Sequence, residues 1–294
     1  MRGTVLALAL LFASAAAAAA DREEEPRIPL RGVFQAERLG GRVTAVAQFV
    51  GGAPPPERDA FPPGPASPPC SPGGGPLLRL SLSVQIELPA RGPIHIENHL
   101  WMEPQSGAPC FLLRSRRGLK DHEQAFRFTP GGAIRRQREP ASPREARLSP
   151  ARWSRVQEHV YPFPAGCGAV LETSGLFYRL LADRPLPGEA EAFCVFHKRQ
   201  VHRVRLEEED LAEVAFDYLE RKGDTVERRS GRGPARGLRF HSEPIGTWRG
   251  ETEEFFRDGT RLVLSRGEGV PLSAGFEVPL LGGVDLRLVE LAWE

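Results

Sequence analysis

The sequence has little net charge and very little lysine. It holds 39 Lys and Arg residues against 38 Asp and Glu residues, so its formal charge is close to zero. Only three of the basic residues are lysine, and the arginines are spread along the chain. A chain without a strong positive field lacks the long-range attraction that draws proteins to nucleic acid. We therefore expect no nucleic-acid partner.

The sequence also lacks the short motifs that mark common active sites and cofactor sites. It has no G-x-S-x-G nucleophile elbow, no P-loop and no dinucleotide-binding fingerprint. It has no C-x-x-C pair and no Cys/His spacing of the kind that binds zinc. The sequence thus predicts no cofactor and favours a protein that is not an enzyme.

Long apolar runs are absent after the first twenty residues. Residues 1–20 have one Arg, an apolar run of about 16 residues from Val5, and a small-residue end before the charged Asp21. This order is typical of a secretory signal peptide, so the mature chain is expected to begin at Asp21. The run is shorter than the ~20 residues that a membrane-spanning helix needs. We predict a periplasmic or secreted protein with a signal peptide at 1–20 and no transmembrane span.

Cysteines are few, but their number is even. The four are Cys70, Cys110, Cys167 and Cys194, and three pairings are possible. In an exported chain an even count favours disulfides. We predict pairing between sequence neighbours, Cys70 with Cys110 and Cys167 with Cys194, because it closes the shorter loops. The alternative is that Cys194, inside an apolar segment, is a buried free thiol that acts as a small hydrophobic residue.

Proline and glycine are abundant, with 28 and 31 residues, and they are concentrated in loops. Residues 51–76 carry too few backbone donors and too little apolar content for a strand or a helix, which predicts a long polyproline-like loop. Two further polar, turn-rich stretches, 129–150 and 222–237, are expected to lie on the surface. Because the pieces between these loops are too small for separate cores, residues 21–294 are expected to form a single β-rich domain.

Apolar residues alternate with polar residues over much of the chain. The clearest case runs from Leu78 to Leu88, where every second residue is apolar, as in a half-buried strand. After a turn, Ile94, Ile96 and Leu100 continue the pattern as an antiparallel partner. Eight more segments have strand character: 42–50, 110–116, 124–128, 193–206, 211–220, 238–242, 260–265 and 284–293.

One segment follows the helical period instead. Between 169 and 182 apolar side chains recur near helical spacing, and Pro185 ends the run. Gly175 in its middle predicts a kink or a close packing contact. The expected fold class is mainly β, or β-rich α+β. It consists of a strongly curved antiparallel sheet or open barrel of about ten strands, packed on one amphipathic helix.

Two stretches carry a resemblance to a known family. The first is VLETSGLFYRLLADRPLPGEAEAFCVFHKRQVHRVRLE, and the second is FFRDGTRLVLSRGEGVPLSAGFEVPLLGGVDLRLVELAW. Both resemble the exported bacterial proteins grouped as domain of unknown function 3108, over roughly Phe111 to Glu294. The resemblance implies an exported, sheet-rich, partly wrapped fold, and it supplies no active-site residues. The Pro-rich insertion and the four cysteines depart from the family's pattern.

His95, Glu97 and His99 form the best metal-ligand pattern in the chain. On a strand, residues i and i+4 lie about 13 Å apart, so the two histidines cannot share one ion. An i, i+2 pair such as His95 and Glu97 can chelate an ion together with a third ligand from a neighbouring strand. The favoured interpretation is a solvated polar face, and we predict no stoichiometric metal at these residues.

A second histidine pair, His197 and His202, flanks the basic segment HKRQVHRVR. Four basic residues share this segment: Lys198, Arg199, Arg203 and Arg205. One interpretation is a contact with an anion or a phospholipid head group. The favoured interpretation is a solvated strand edge whose charges discourage aggregation. The arginine pairs at 116–117 and 135–136 are interpreted in the same way.

Aromatic residues at strand and helix positions indicate an apolar trough inside the curved sheet. Such troughs bind lipids or other apolar ligands. Six residues form the predicted ligand-binding set: Trp101, Phe128, Phe177, Tyr178, Phe216 and Tyr218. The alternative is that these rings merely fill the core.

Three functions are compatible with these patterns. The first is an exported, non-enzymatic envelope protein that binds a lipid-like or other apolar ligand, or a protein partner, in the trough. The second is an envelope hydrolase with a site built from His95, His99 or His202. The third is a structural adaptor that docks an envelope partner through the Pro-rich loop at 51–76.

Overall fold

The structure of the chain is a computed structural model. It describes residues 31–38, 40–54, 61–64, 76–89, 92–118, 120–181, 192–197, 199–246, 260–266, 268–278 and 282–293. The predicted signal peptide at 1–20 lies outside these ranges. Within them, no helix has the length and hydropathy of a membrane span.

One large sheet makes up most of the described chain. Its fifteen strands are β1 (Arg31–Arg38), β2 (Gly41–Ala53), β3 (Leu77–Glu87), β4 (Ile94–Met102), β5 (Pro109–Arg117), β6 (His122–Thr129), β7 (Gly132–Glu139), β8 (Arg155–Pro162), β9 (Val170–Glu172), β10 (Ala192–His197), β11 (Gln200–Lys222), β12 (Thr225–Ile245), β13 (Arg261–Ser265), β14 (Pro271–Val278) and β15 (Gly282–Trp293). Their order is β8-β7-β6-β5-β4-β3-β2-β1-β15-β14-β13-β12-β11-β10-β9. Neighbours in this order are antiparallel except β9 and β10. The mainly β class with a large antiparallel sheet is confirmed, whereas the expected count of about ten strands is too low.

Some of the strands that the sequence pattern missed are mostly polar, whereas β1 and β14 were missed although they bury Val33 and Leu272. Seven of the eight residues of β8, at one edge of the sheet, are exposed. The stretches 129–150 and 222–237, expected as loops, contain β7 and the first half of β12. In the long β11–β12 hairpin, cross-strand ion pairs take the place of apolar contacts, as between Arg228 and Asp217 at 2.7 Å. Alternation of polarity cannot reveal strands of this kind.

Helical structure is limited to short segments in the described residues. These are α1 (Pro143–Ala146), a 3-10 turn (Pro150–Arg152) and α2 (Thr173–Leu181). The prediction of one helix over 169–182 is therefore wrong in two respects. Residues 170–172 form β9, because they pair with β10, and α1 is a second helix inside a predicted loop.

α2 lies between two apolar clusters that belong to opposite parts of the sheet. Tyr178 packs in a cluster drawn from β2–β8 and also from β10 and β11, at the other end of the strand order. Leu176 packs in a second cluster, drawn from β9–β14. The sheet therefore curls round α2 and brings its two ends together. We call the face toward α2 the inner face and the opposite one the outer face.

Gly175 allows α2 to approach the turn between β4 and β5. A Cβ atom at Gly175 would lie 2.9 Å from the carbonyl oxygen of Gly107. The same turn accepts two hydrogen bonds from α2, from Tyr178 Oη to Pro104 O at 2.6 Å and from Arg179 Nη1 to Gln105 O at 2.8 Å. The close contact expected at Gly175 is thus present.

Strands β11 to β15 close into a five-stranded ring. Each pairs with the next, and the end of β11 pairs in parallel with the end of β15, from Leu219 opposite Glu290 to Lys222 opposite Trp293. Apolar side chains that include Tyr218 pack together in a cluster drawn from this ring. The parallel pairing is therefore the contact that closes the ring.

A buried carboxylate, Glu220, stands at this closure. Its side chain is 2% exposed and accepts hydrogen bonds from Arg229 Nε and Trp293 Nε1, both at 2.8 Å. Lys222 Nζ lies 3.1 Å from the same carboxylate. Glu220 therefore ties β11 to both β12 and β15.

Part of the Pro-rich loop packs against the outer face of the sheet. Phe61 is 2% exposed, and its ring centroid lies 6.1 Å from that of Trp101 and 5.2 Å from that of Phe111. Arg127 Nε donates a hydrogen bond to Pro62 O at 2.7 Å. The described part of the loop thus covers an apolar patch of its own chain.

The disulfide prediction is confirmed where the structure describes it. Cys167 and Cys194 are bonded, so Cys194 is not a free thiol. Cys110 is also disulfide-bonded. Its predicted partner, Cys70, lies outside the described residues.

Candidate ligand-binding surface

The inner face of β3 to β7 changes from apolar to polar along the strands. Cross-strand neighbours form rows on this face, and the row that packs in the cluster with Tyr178 is Leu80, Leu100, Leu112, Phe126 and Arg135. The next row is Leu82, Asn98, Arg114, Gln124 and Gln137. The third row is Val84, Ile96, Arg116 and His122.

The second and third rows form a surface that we call the amphipathic trough. Its apolar side consists of Leu82, Val84 and Ile96, which are half-buried and pack on a cluster from β1–β4 and β15. Its polar side, also half-buried, consists of Asn98, Arg114, Arg116, Gln124 and Gln137. Side chains of both kinds are therefore adjacent on one face and partly open to solvent.

Arg114 connects the polar side of the trough to the start of α2. Its Nη2 donates to Glu172 Oε1 at 2.5 Å, and its guanidinium lies 5.8 Å from the ring centroid of Phe126. The Glu172 side chain is fully buried, and its Oε2 accepts the backbone N–H of Ser174 at 2.7 Å. A carboxylate at a helix N-terminus is favourable, so Glu172 is held by the helix and by Arg114 together.

Arg135 is the most deeply buried of the arginines on this part of the inner face. It is 3% exposed, and its guanidinium lies 5.4 Å from the ring centroid of Tyr161. Burial lowers the pKa of Arg135, which Tyr161 counteracts and Arg199 reinforces. Arginine keeps its charge in proteins, so this group is a positive charge with little solvation.

The two glutamines of the polar side belong to a hydrogen-bonded chain. Gln124 Nε2 donates to Gln137 Oε1 at 2.9 Å, and Gln137 Nε2 donates to Glu139 Oε1 at 2.5 Å. This chain fixes the orientation of both amides. The polar side of the trough is thus held in a defined arrangement by contacts within the protein.

The six aromatic residues predicted for ligand contact lie in four different clusters. Phe128 and Tyr178 share the cluster between α2 and the first row, and Phe177 packs on the cluster on the other side of α2. Trp101 lies on the outer face, and the remaining two, Phe216 and Tyr218, belong to the cluster of the five-stranded ring. The structure therefore does not bring the six together into one surface.

The predicted histidine pattern of β4 lies on the outer face, where it lines a cavity of about 300 Å³. The lining residues are His95, Glu97, His99, Leu113, Ser115, Arg117, Glu123 and Pro150. His99 Nδ1 lies 3.0 Å from Ser81 Oγ, and its Nε2 lies 4.0 Å from Glu97 Oε2. Burial lowers the pKa of His99, and burial raises the pKa of Glu123. The described part of the chain contains no group of ligands placed to hold a metal ion.

The predicted basic segment does not lie at the edge of the sheet. His197 ends β10, and residues 200–205 begin β11, which pairs with β10 on one side and with β12 on the other. His202 is 2% exposed, and burial lowers its pKa to about 4. His197 Nδ1 lies 3.1 Å from Thr173 Oγ1 at the start of α2. The interpretation as a solvated edge is therefore wrong for His202, while Arg203 and Arg205 are exposed as expected; Lys198 lies outside the described residues.

The interpretation of the arginine pairs as solvated needs the same correction. Arg135 is buried, and Arg116 belongs to the half-buried trough. Their partners in sequence, Arg117 and Arg136, lie on the outer face, where Arg136 Nε contacts Glu158 at 2.7 Å. For the pair at 135–136 the two-residue period is a signal in the sequence, since Arg135 shares a face with Ala133, which is buried.

The fold and this surface define a mainly β protein whose large antiparallel sheet curls round a helix and presents a half-buried amphipathic surface. No family model matches the chain, and no curated protein matches it. Among solved structures, the β-barrel-like protein of Domain of Unknown Function DUF1849 from Brucella abortus is similar, with a TM-score of 0.45 and 9% sequence identity. The match covers 91% of this chain and 98% of that one. At this identity and score the likeness carries no residue role or function over to the present chain.

Proposed function

We propose that the chain is an exported, non-enzymatic envelope protein that binds a lipid-like ligand in the amphipathic trough. The observation that carries this proposal is that a half-buried apolar side and a half-buried polar side adjoin on the inner face. A ligand with an apolar chain and a polar head group matches both sides at once. Export rests on the signal-peptide pattern at 1–20 and on the resemblance to domain of unknown function 3108, and both stay predictions.

In this proposal the ligand contacts differ from the aromatic set. The apolar chain lies along Leu82, Val84 and Ile96, and the head group faces the polar side of the trough. Phe128 and Tyr178 pack in the cluster that adjoins the trough through the row of Leu80, so we assign them a supporting role. Burial of apolar surface supplies the affinity at about 25 cal/mol per Å² removed from water.

The test is native mass spectrometry of the full chain, produced with its N-terminal segment in a bacterium and extracted gently from the envelope. We expect a bound species with the mass of a lipid. The variant Leu82→Glu places a charge on the apolar side and should lose it. Ser83→Glu places the same charge on the next residue of β3, which is exposed on the outer face, and should keep it.

Two results would contradict this function. One is a wild-type protein that carries no bound species and takes up none when dodecyl amphiphiles are added. The other is a Leu82→Glu variant that retains the bound species while circular dichroism shows the fold of the wild type. In the second case the ligand lies elsewhere on the molecule.

A hydrolase is a second candidate, favoured by the contacts of His99 on the outer face. Its ring lies between Ser81 Oγ, at 3.0 Å, and Glu97 Oε2, at 4.0 Å, an arrangement in which the histidine can act as a base toward the hydroxyl. Burial lowers the pKa of His99, and the neighbouring Glu97 opposes this shift. A panel of fluorogenic esters tests this candidate: turnover that disappears in Ser81→Ala supports it, and absence of turnover dismisses it.

A further inference from the structure

We infer that the amphipathic trough selects amphiphiles with an anionic head group, which its arginines recognise. This inference rests on the proposed function and specifies the class of ligand. Three guanidinium groups carry it: Arg114 and Arg116 lie in the trough, and Arg135 lies in the first row beside it.

The charge on this part of the inner face is mainly positive. Two carboxylates, those of Glu172 and Glu139, lie near the three guanidinium groups. Glu172 is already engaged by Arg114 and by the backbone of α2, and Glu139 accepts a hydrogen bond from Gln137. Within the ranges that the structure describes, Arg116 and Arg135 form no salt bridge. Positive charge therefore remains for a ligand to compensate.

The hydrogen-bonding groups of these arginines point to a ligand rich in acceptors. The Nε atoms of Arg114, Arg116 and Arg135 are buried, and none of them has a hydrogen-bond partner in the described part of the chain. Arg135 is itself only 3% exposed. Buried donors are normally satisfied, and guanidinium groups form their strongest hydrogen bonds with carboxylate and phosphate oxygens. A cationic head group would be repelled, and a neutral one leaves the charge uncompensated.

The spacing of the arginines suits one head group. Arg114 and Arg116 are two residues apart on β5 and point to the same face, so their Cα atoms lie about 6.6 Å apart. Long guanidinium side chains at this separation can contact one phosphate from two sides. The apolar side of the trough begins next to them, since Ile96 is the cross-strand neighbour of Arg116. A head group at the arginines thus leaves its chain on apolar residues.

The test compares dodecyl phosphate, dodecyl maltoside and dodecyltrimethylammonium, which share one tail, by calorimetry with the full chain below their micelle concentrations. We expect dodecyl phosphate to bind about tenfold more tightly than dodecyl maltoside, and the cation to bind most weakly. Arg116→Gln should abolish most of this preference, because dodecyl phosphate loses a charged partner and its affinity falls toward that of dodecyl maltoside measured with the same variant. Arg136→Gln, on the outer face, is the matched control and should keep the preference.

The results distinguish a failure of the proposed function from a failure of the inference of anion selectivity. If none of the three amphiphiles binds, the proposed function itself fails. If all three bind equally, the trough binds amphiphiles and the inference of anion selectivity fails. A fourth titration uses inorganic phosphate. If it binds as tightly as dodecyl phosphate, the site recognises a free anion and the inference of an amphiphile is overturned. Because Arg116 is half-buried and not part of the core, we expect its variant to fold. A circular dichroism spectrum of Arg116→Gln checks this.

Discussion

Replacing Glu220 by Gln should destabilise the protein by about 2–3 kcal/mol, because it removes the charge that three donors share at the closure of the five-stranded ring. A hydrogen bond to a charged group contributes about 1.5–3 kcal/mol. Gln keeps one acceptor, which Trp293 can still use. The Arg229 and Lys222 side chains are 47% and 51% exposed, so solvent screens their contributions and the expected loss is well below the sum of three bonds.

The measurement is urea unfolding followed by tryptophan fluorescence, with Asp217→Asn as the matched control. Asp217 pairs with Arg228 at 2.7 Å on the same hairpin, but their side chains are 54% and 69% exposed. An exposed pair contributes about 0–1 kcal/mol, so the control should shift the midpoint only slightly. We expect an unchanged slope in both variants, since the same surface is exposed on unfolding.

The pH dependence provides a second check on Glu220. Burial opposes ionisation, but the hydrogen bonds from Lys222, Arg229 and Trp293 together hold the pKa of Glu220 below its usual value. A carboxylate with a depressed folded-state pKa stabilises the fold above its unfolded pKa, and this stability is lost as the pH falls through the folded pKa. The difference between wild type and Glu220→Gln should therefore shrink below about pH 4.3. Equal unfolding midpoints for the wild type and Glu220→Gln at neutral pH would refute the reasoning. So would a difference between them that persists in acid.

Two further predictions follow from packing and covalent structure. Replacing Cys167 and Cys194 by Ser opens a loop with a sequence separation of 27 residues and should cost about 3.5 kcal/mol, measured by denaturant unfolding against the oxidised wild type; an unchanged midpoint would contradict it. Gly175→Ala should destabilise by about 1–3 kcal/mol despite the gain in helix propensity, because the new Cβ meets the backbone of Gly107 and not a movable side chain. A rise in the melting temperature of Gly175→Ala would contradict this prediction, because it would mean that the turn at Gly107 moves to make room for the new Cβ.

The sequence pattern predicted the part of the fold in which one face of a strand is apolar. The alternation from Leu78 to Leu88 is β3, and Leu80 packs in the same cluster as Tyr178 of α2, as expected of a sheet that bends round a helix. The pattern failed where tertiary contacts override composition. β9 is a strand because β10 lies beside it, and β12 begins in a polar stretch because β11 supplies opposite charges.

The arginines of the candidate site were hidden for a different reason. β5 has apolar residues on both faces, with Leu112 toward α2 and Phe111 beneath the Pro-rich loop. With no polar face for contrast, the sequence does not show to which side Arg114 points. The sequence also does not show that aromatic residues such as Trp101 and Phe216 pack in clusters on separate parts of the sheet. Alternation along a strand assigns residues to two faces, but the curvature of the sheet decides which face is the inner one. This curvature depends on contacts between residues that are distant in sequence.

The position of β15 has a consequence for how this chain folds. β15 pairs with β1, the first described strand, as well as with β14 and β11. Neither the pairing of β1 with β15 nor the five-stranded ring can form before this late segment has been synthesised. Folds that depend on such distant pairings form slowly and leave unpaired strand edges exposed meanwhile. A chain that ends before β15 should therefore leave the edges of β1 and β14 unpaired.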